Sequence, residues 1–211
     1  LYNTCRNLYI GVQESAFVKP GSKYKYQTPI VYLGSSITQG GCASRPGNTY
    51  ISLLSRELHF DFINLGFSGN CKAEIAMAEY ISKLTMSVFV FDYDYNAETV
   101  EELRNNHEPF FKYIRKNNPD LPIILLPKPC DEPNKEEFEQ RKKVIKDTYD
   151  NAISNNDNNV YFIDYKLLYT GFAANSHTVD GCHPNDLGFY LMAKEILPVL
   201  KKILRGMNCN G

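Results

Sequence analysis

The sequence predicts a single α/β domain in which a five-stranded parallel sheet lies between two layers of helices. Three observations lead there. Five short apolar runs alternate with amphipathic stretches, the rhythm of repeated βα units. The runs are near-continuously apolar, as strands covered on both faces are. The 211 residues, 43% hydrophobic and 22% charged, have the size and composition of one globular domain.

Residues 1–27 stand outside this rhythm. Residues 8–12 and 16–18 have the composition of short strands, and 19–26 read as a polar turn. The segment is either a strand-rich lead-in or the linker from an upstream β module, with the α/β domain occupying 28–211. The first buried strand is 29–33. A helix follows over 49–58, with Tyr50, Leu53, Leu54 and Leu58 on one stripe. Strand 60–65 leads to helix 72–84, where Ile75, Ala78, Ile81 and Leu84 recur every third residue. Strand 87–91 leads to helix 98–116, built on Val100, Leu103, Phe110, Phe111 and Ile114, with Pro109 as a candidate break. Strand 122–126 precedes helix 135–154, with Phe138, Ile145, Tyr149 and Ile153. Strand 160–163 precedes helix 186–204, which carries Leu187, Leu191, Ile196, Leu200 and Ile203. Pro198 is expected to kink that helix or mark its boundary.

Charge and cysteine usage exclude several classes. Lys plus Arg number 23 against 24 Asp plus Glu, so no nucleic-acid footprint is present at whole-chain level. No apolar run approaches the ~18 residues that span a bilayer, so no membrane span is expected. Cys5, Cys42, Cys71, Cys130, Cys182 and Cys209 form no CxxC or CxxH pair, so no zinc site is expected. Their even number allows disulfides or scattered free thiols and leaves the compartment open.

In a parallel sheet, ligands bind beyond the carboxyl ends of the strands. Four segments there carry chemistry. Gly34-Ser35-Ser36-Ile37-Thr38-Gln39 follows the first strand. A serine on such a turn projects its hydroxyl into the crevice and needs a base to become a nucleophile. The same residues also read as a glycine-rich loop with capping serines. Asn64-Leu65-Gly66-Phe67-Ser68-Gly69-Asn70 follows the second strand, where a glycine lets backbone N–H groups approach an oxyanion. A plain βα turn reads the same way. Asp92-Tyr93-Asp94-Tyr95-Asn96 follows the third strand. Asn96 can donate a side-chain N–H, and alternation would put Asp92 and Asp94 on one face as metal ligands or a carboxylate pair, with helix capping by Asp94 or Asn96 as the plain alternative. Asp180-Gly181-Cys182-His183 precedes the last helix. Its loop can fold so that Asp180 touches the His183 imidazole and leaves the other nitrogen free to act as a base. His177 completes an H-x-x-D-x-x-H string, but no further clustered ligand supports a metal, and it reads as a rim residue. His59 and His107 read as surface groups.

In order, these four blocks resemble those of the SGNH (GDSL-type) hydrolase family. Ser36 stands at the nucleophile position, Gly69 at the second-block glycine, Asn96 at the third-block asparagine, and Asp180 and His183 at the D-x-x-H block. The usual G-D-S is G-S-S here, with Ser35 in place of the aspartate, and the third block lacks its usual glycine. Residues 36–47 and 92–96 look like a bacterial branch related to carbohydrate esterases. The resemblance implies a three-layer α/β/α, flavodoxin-like sheet and a Ser36–His183–Asp180 triad. It implies an oxyanion hole from the N–H groups of Ser36 and Gly69 and the Asn96 side chain, and no metal or organic cofactor. It also implies a catalytic domain of a longer secreted or periplasmic chain.

Gln39, Arg45, Tyr93, Tyr95 and His177 are the candidate substrate rim. The expected reaction is removal of a short acyl group, acetyl above all, from a carbohydrate or related small-molecule ester. The alternatives are a lipid-like ester or thioester hydrolase, and a non-catalytic glycan-binding module that kept the fold. Oligomeric state is left open.

Overall fold

The computed structural model describes residues 6–128, 135–169 and 175–208. All five predicted strands form: β1 (Tyr26–Gly34), β2 (Phe60–Gly66), β3 (Val88–Asp92), β4 (Ile123–Leu125) and β5 (Val160–Phe162). They pair in parallel in the order β2-β1-β3-β4-β5, the flavodoxin-like arrangement. The register sets Gly34 of β1 opposite Gly66 of β2 on one side and Asp92 of β3 on the other. The order reverses at β1, so a crevice opens between the carboxyl ends of β1 and β3.

Among the described residues six α-helices accompany the sheet: α1 (Ser36–Gln39), α2 (Tyr50–Leu58), α3 (Ile75–Ser82), α4 (Val100–Asn117), α5 (Lys135–Ser154) and α6 (Asp186–Asn208). The core divides as strand alternation requires. Ile30 and Tyr32 of β1 and Val88 and Val90 of β3 pack against Tyr50 and Leu54 of α2 and Phe189 and Ile196 of α6. Val31, Leu33, Phe89 and Phe91 face Ile81 of α3, Leu103 and Phe110 of α4, and Ile145 of α5. Thr49 caps α2 and Thr99 caps α4 through their side chains.

Three expectations need correction. Residues 6–25 form no strand. Leu8, Tyr9, Ile10, Val12, Phe17 and Val18 are all exposed and no neighbouring strand pairs with them, so strand-like composition has no ladder to join. Pro109 and Pro198 sit inside α4 and α6 without ending them. Each lies on the solvent side, as do Asn105 and Lys194 four residues earlier, so water can take the carbonyl that proline leaves unbonded. His107 is fully buried rather than superficial. It stacks on Phe91 at 4.7 Å, and its Nδ1 lies 2.9 Å from the Thr148 hydroxyl. Among the described residues no helix is long and apolar enough to cross a membrane.

Candidate active site

The turn after β1 is shaped by its small residues. Gly34 is required because a Cβ there would lie 2.1 Å from Thr38 Oγ1 and 2.5 Å from the Asp92 carbonyl. Ser35 is buried and its hydroxyl accepts the Ile37 N–H at 3.1 Å, which starts α1. Ser35 thus serves as the cap of α1, the helix that Ser36 begins. Ser36 follows as its first residue, so its own N–H has no acceptor within the helix.

Ser36 Oγ lies 3.0 Å from His183 Nε2, across 147 residues of chain. His183 Nδ1 lies 2.7 Å from Asp180 Oδ2, and Asp180 Oδ1 accepts the backbone N–H groups of His183 at 2.7 Å and Cys182 at 2.9 Å. A carboxylate only accepts, so Nδ1 carries the proton and Nε2 is left to accept from Ser36. The backbone and ring donors of His183 hold the Asp180 carboxyl down to about 2. The structure thereby brings together three residues predicted from two separate motifs.

The second and third blocks are joined to this turn by a chain of hydrogen bonds. Phe67 donates its N–H to the Gly34 carbonyl at 2.8 Å, and Asn96 Nδ2 donates to the Phe67 carbonyl at 2.8 Å. One amide hydrogen of Asn96 is thereby used and the other is left for a ligand. Gly69 adopts a positive φ of 69°, the left-handed region that glycine enters without strain. Gly66 allows β2 to touch α1, because a Cβ there would lie 2.1 Å from the Gln39 backbone nitrogen. Asn64 Nδ2 donates to the Thr38 carbonyl at 2.8 Å, and the Ser68 N–H reaches Gln39 Oε1 at 3.2 Å.

Asp92 and Asp94 do not share a face. β3 ends at Asp92 and Tyr93 turns into a helical conformation, which breaks the alternation. Asp92 takes the hydroxyls of Thr38 at 2.7 Å and Tyr50 at 3.0 Å, while Oδ1 has no partner among the described residues. Burial pushes its carboxyl up to about 7. Asp94 instead pairs with Arg141 of α5 at 3.2 Å and accepts the Lys128 N–H at 2.8 Å.

The rim residues divide. Arg45 is exposed and bonded to Asn48 at 3.0 Å, and Gln39 and Tyr95 are half-buried. Tyr93 and His177 are not rim residues. Tyr93 is fully buried, stacked on Phe91 at 5.8 Å in the α4-side core. His177 is 1% exposed, packed where Gly188 lets α6 approach its carbonyl, and neither ring nitrogen has a partner among the described residues. Asp186, the first residue of α6, gave no sequence signal of a role at this site. It accepts from Ser44 N at 2.9 Å, Ser44 Oγ at 2.5 Å and Asn48 Nδ2 at 2.7 Å, tying the loop after α1 to the loop of His183. Arg141 gave no sequence signal either, since it reads as one more charge on an amphipathic helix. Cys42, Cys71 and Cys182 are free thiols, while Cys5, Cys130 and Cys209 lie outside the described residues. Burial pushes the Cys71 thiol up to about 12, which removes it as a rival nucleophile.

The fold has counterparts among solved structures. A Bacteroides ovatus protein assigned as a GDSL-like lipase superposes with a TM-score of 0.78 at 35% identity, over 92% of this chain and 58% of its own. The chain therefore spans little more than half of that protein. A family two carbohydrate esterase from Clostridium thermocellum, in complex with cellohexaose, gives a TM-score of 0.69 at 16% identity, over 89% of this chain and 67% of its own. A two-domain esterase active on acetylated mannans gives 0.64 at 20%, over 84% and 49%. No curated protein matches the sequence. The family model of the GDSL-like lipases and acylhydrolases matches residues 27–201, from the start of β1 to within α6. The chain belongs to the GDSL-like lipase/acylhydrolase family.

Proposed function

We propose that this protein is a serine esterase that removes a short acyl group, acetyl above all, from a carbohydrate ester through Ser36, His183 and Asp180. The observation that carries the reading is the relay of contacts at 3.0 Å and 2.7 Å from Ser36 through His183 to Asp180. Ser36 Oγ attacks the ester carbonyl while its proton passes to His183 Nε2. The oxyanion is met by the N–H groups of Ser36 and Gly69 and by the free Asn96 amide hydrogen. His183 then returns the proton to the departing alcohol, leaving an acyl-serine. Water, giving its proton to His183, attacks that ester and releases the acid as Ser36 recovers the proton. Asp180 keeps the imidazole in the required tautomer and stabilises the imidazolium.

The carbohydrate part of the reading draws on the carbohydrate esterases among the structural counterparts. It also fits a rim of exposed Arg45 and half-buried Gln39 and Tyr95, which offers hydrogen-bonding groups and one aromatic face. The test is turnover of p-nitrophenyl acetate and of acetylated oligosaccharides by the wild type and Ser36→Ala. The substituted protein should fall to the buffer rate. Equal rates in the two proteins would move the nucleophile elsewhere, and preference for long-chain acyl esters would replace the carbohydrate reading with a lipid one.

A further inference from the structure

The turn that carries Asn96 is held from outside the four motifs. Arg141, on α5, is 6% exposed and wraps residues 94–98. Its Nη1 donates to Asp94 Oδ1 at 3.2 Å and to the Asp94 carbonyl at 3.3 Å. Its Nη2 donates to the carbonyls of Ala97 at 3.1 Å and Glu98 at 3.4 Å, and its Nε to Glu137 at 2.8 Å. Lys72 Nζ takes the Asn96 carbonyl itself at 2.9 Å. The turn is a short 3-10 segment, Asp94–Asn96, with few internal bonds of its own. Its direction is therefore set by what grips its carbonyls.

We infer that Arg141 is a positioning residue for the oxyanion donor Asn96, with its guanidinium fixing the 94–98 turn on which that side chain stands. The inference rests on the esterase reading above. A planar fork suits the task because it reaches carbonyls on both sides of Asn96 at once, which an ammonium cannot do. A displacement of the order of 1 Å in a donor is enough to weaken an oxyanion contact. Arg141 touches no reacting atom and acts only through the turn.

The test is a double-mutant cycle between positions 141 and 96. Arg141→Lys keeps a cation beside Asp94 but gives up the arm to Ala97 and Glu98. It should lower kcat for p-nitrophenyl acetate about tenfold with KM changed less than about twofold, since the contact matters chiefly in the transition state. In an Asn96→Ala background the same substitution should cost less than about twofold, because the donor it positions is gone. Equal losses in both backgrounds, or an unchanged kcat in the wild-type background, would overturn the inference and leave Arg141 a structural ion pair. If Arg141→Lys does not fold, the paired Asp94→Asn/Arg141→Gln variant leaves no charge buried and carries the same cycle with the same criteria. Failure of the esterase reading is distinct, because the wild type is then itself inactive and the inference falls with it.

Discussion

Asp92 gives the sharpest test of how the nucleophile turn is supported. Its Oδ2 holds Thr38 and Tyr50, its Oδ1 has no partner among the described residues, and burial pushes the carboxyl up to about 7. In the unfolded chain an aspartate titrates at ~3.9. Between those values the folded protein holds one proton more than the unfolded chain. The associated stability is therefore fully present below about pH 4 and lost as pH rises through about 7. A shift of roughly three units corresponds to about 4 kcal/mol as an upper bound. Asp92→Asn cannot ionise and keeps an oxygen for both hydroxyls, but it buries two amide hydrogens where the protonated acid buries one. That costs about 1–3 kcal/mol at every pH. The variant should gain up to about 2.6 kcal/mol on the wild type between pH 5 and pH 8, and match or exceed it at pH 8. The wild-type curve alone will not reveal this, because the buried His107 pulls stability the opposite way with pH. Urea unfolding of both proteins at pH 5, 6, 7 and 8, followed by near-UV circular dichroism of the 15 tyrosines, isolates the difference. A stability gap that is the same at pH 5 and pH 8 would refute a raised Asp92 carboxyl.

Burial holds the His107 imidazole down to about 3, so its contribution is fully present above ~6.5 and lost as pH falls. His107→Phe keeps the stack on Phe91 and should flatten the loss of stability between pH 6.5 and 4, as measured by urea midpoints. Gly66→Ala drives a methyl to 2.1 Å from the Gln39 nitrogen, a backbone atom that cannot swing away. It should cost about 1–3 kcal/mol, and because α1 must shift, kcat should drop with Tm. Asp180→Asn removes the acceptor that fixes the His183 tautomer. A buried counterpart in serine proteases is worth roughly 10⁴ in rate; with Asp180 half-exposed, where water substitutes in part, a loss on the order of 10²-fold in kcat is expected. Wild-type kcat in that variant would show that the imidazole is oriented by something else.

What the sequence made legible follows from the range of the physics involved. The five strands and the main helices came through because buried parallel strands and amphipathic helices write their periods locally. Ser36, Asp180 and His183 were legible as candidates because each sits in a short motif at a strand end or before a helix. Pro109 and Pro198 misled because their cost depends on which side of the helix faces water, and residues 8–18 misled because a strand needs a neighbour as well as a composition. Tyr93 and His177 were placed on the rim by proximity in sequence, whereas one turn of backbone sends each into the interior. The separation of Asp92 from Asp94 was illegible because β3 ends at Asp92 and Tyr93 turns out of the strand; Arg141 and Asp186 were illegible for a different reason. Each is a side chain reaching a segment more than 40 residues away, and nothing in its own neighbourhood records that contact.

The two halves of the site are held by different means. The half carrying Ser36, Gly69 and Asn96 comes from the ends of three adjacent strands, and sheet register alone brings Gly34, Gly66 and Asp92 side by side. The half carrying Asp180 and His183 comes from a loop before α6 that, among the described residues, makes no ladder with the sheet; the bridge found there joins Thr178 to Pro184 within the loop itself. A 3.0 Å contact between Ser36 and His183 thus requires a second connection, and Asp186 supplies it. Three residues beyond the histidine, it grips Ser44 and Asn48 on the chain that has just left the nucleophile helix. The donors on Ser44 and Asn48 hold its carboxyl below the ordinary range, so the tether stays charged at neutral and mildly acidic pH. Ser36 and His183 are therefore joined by a short polar link through Asp186 that runs beside their own hydrogen bond.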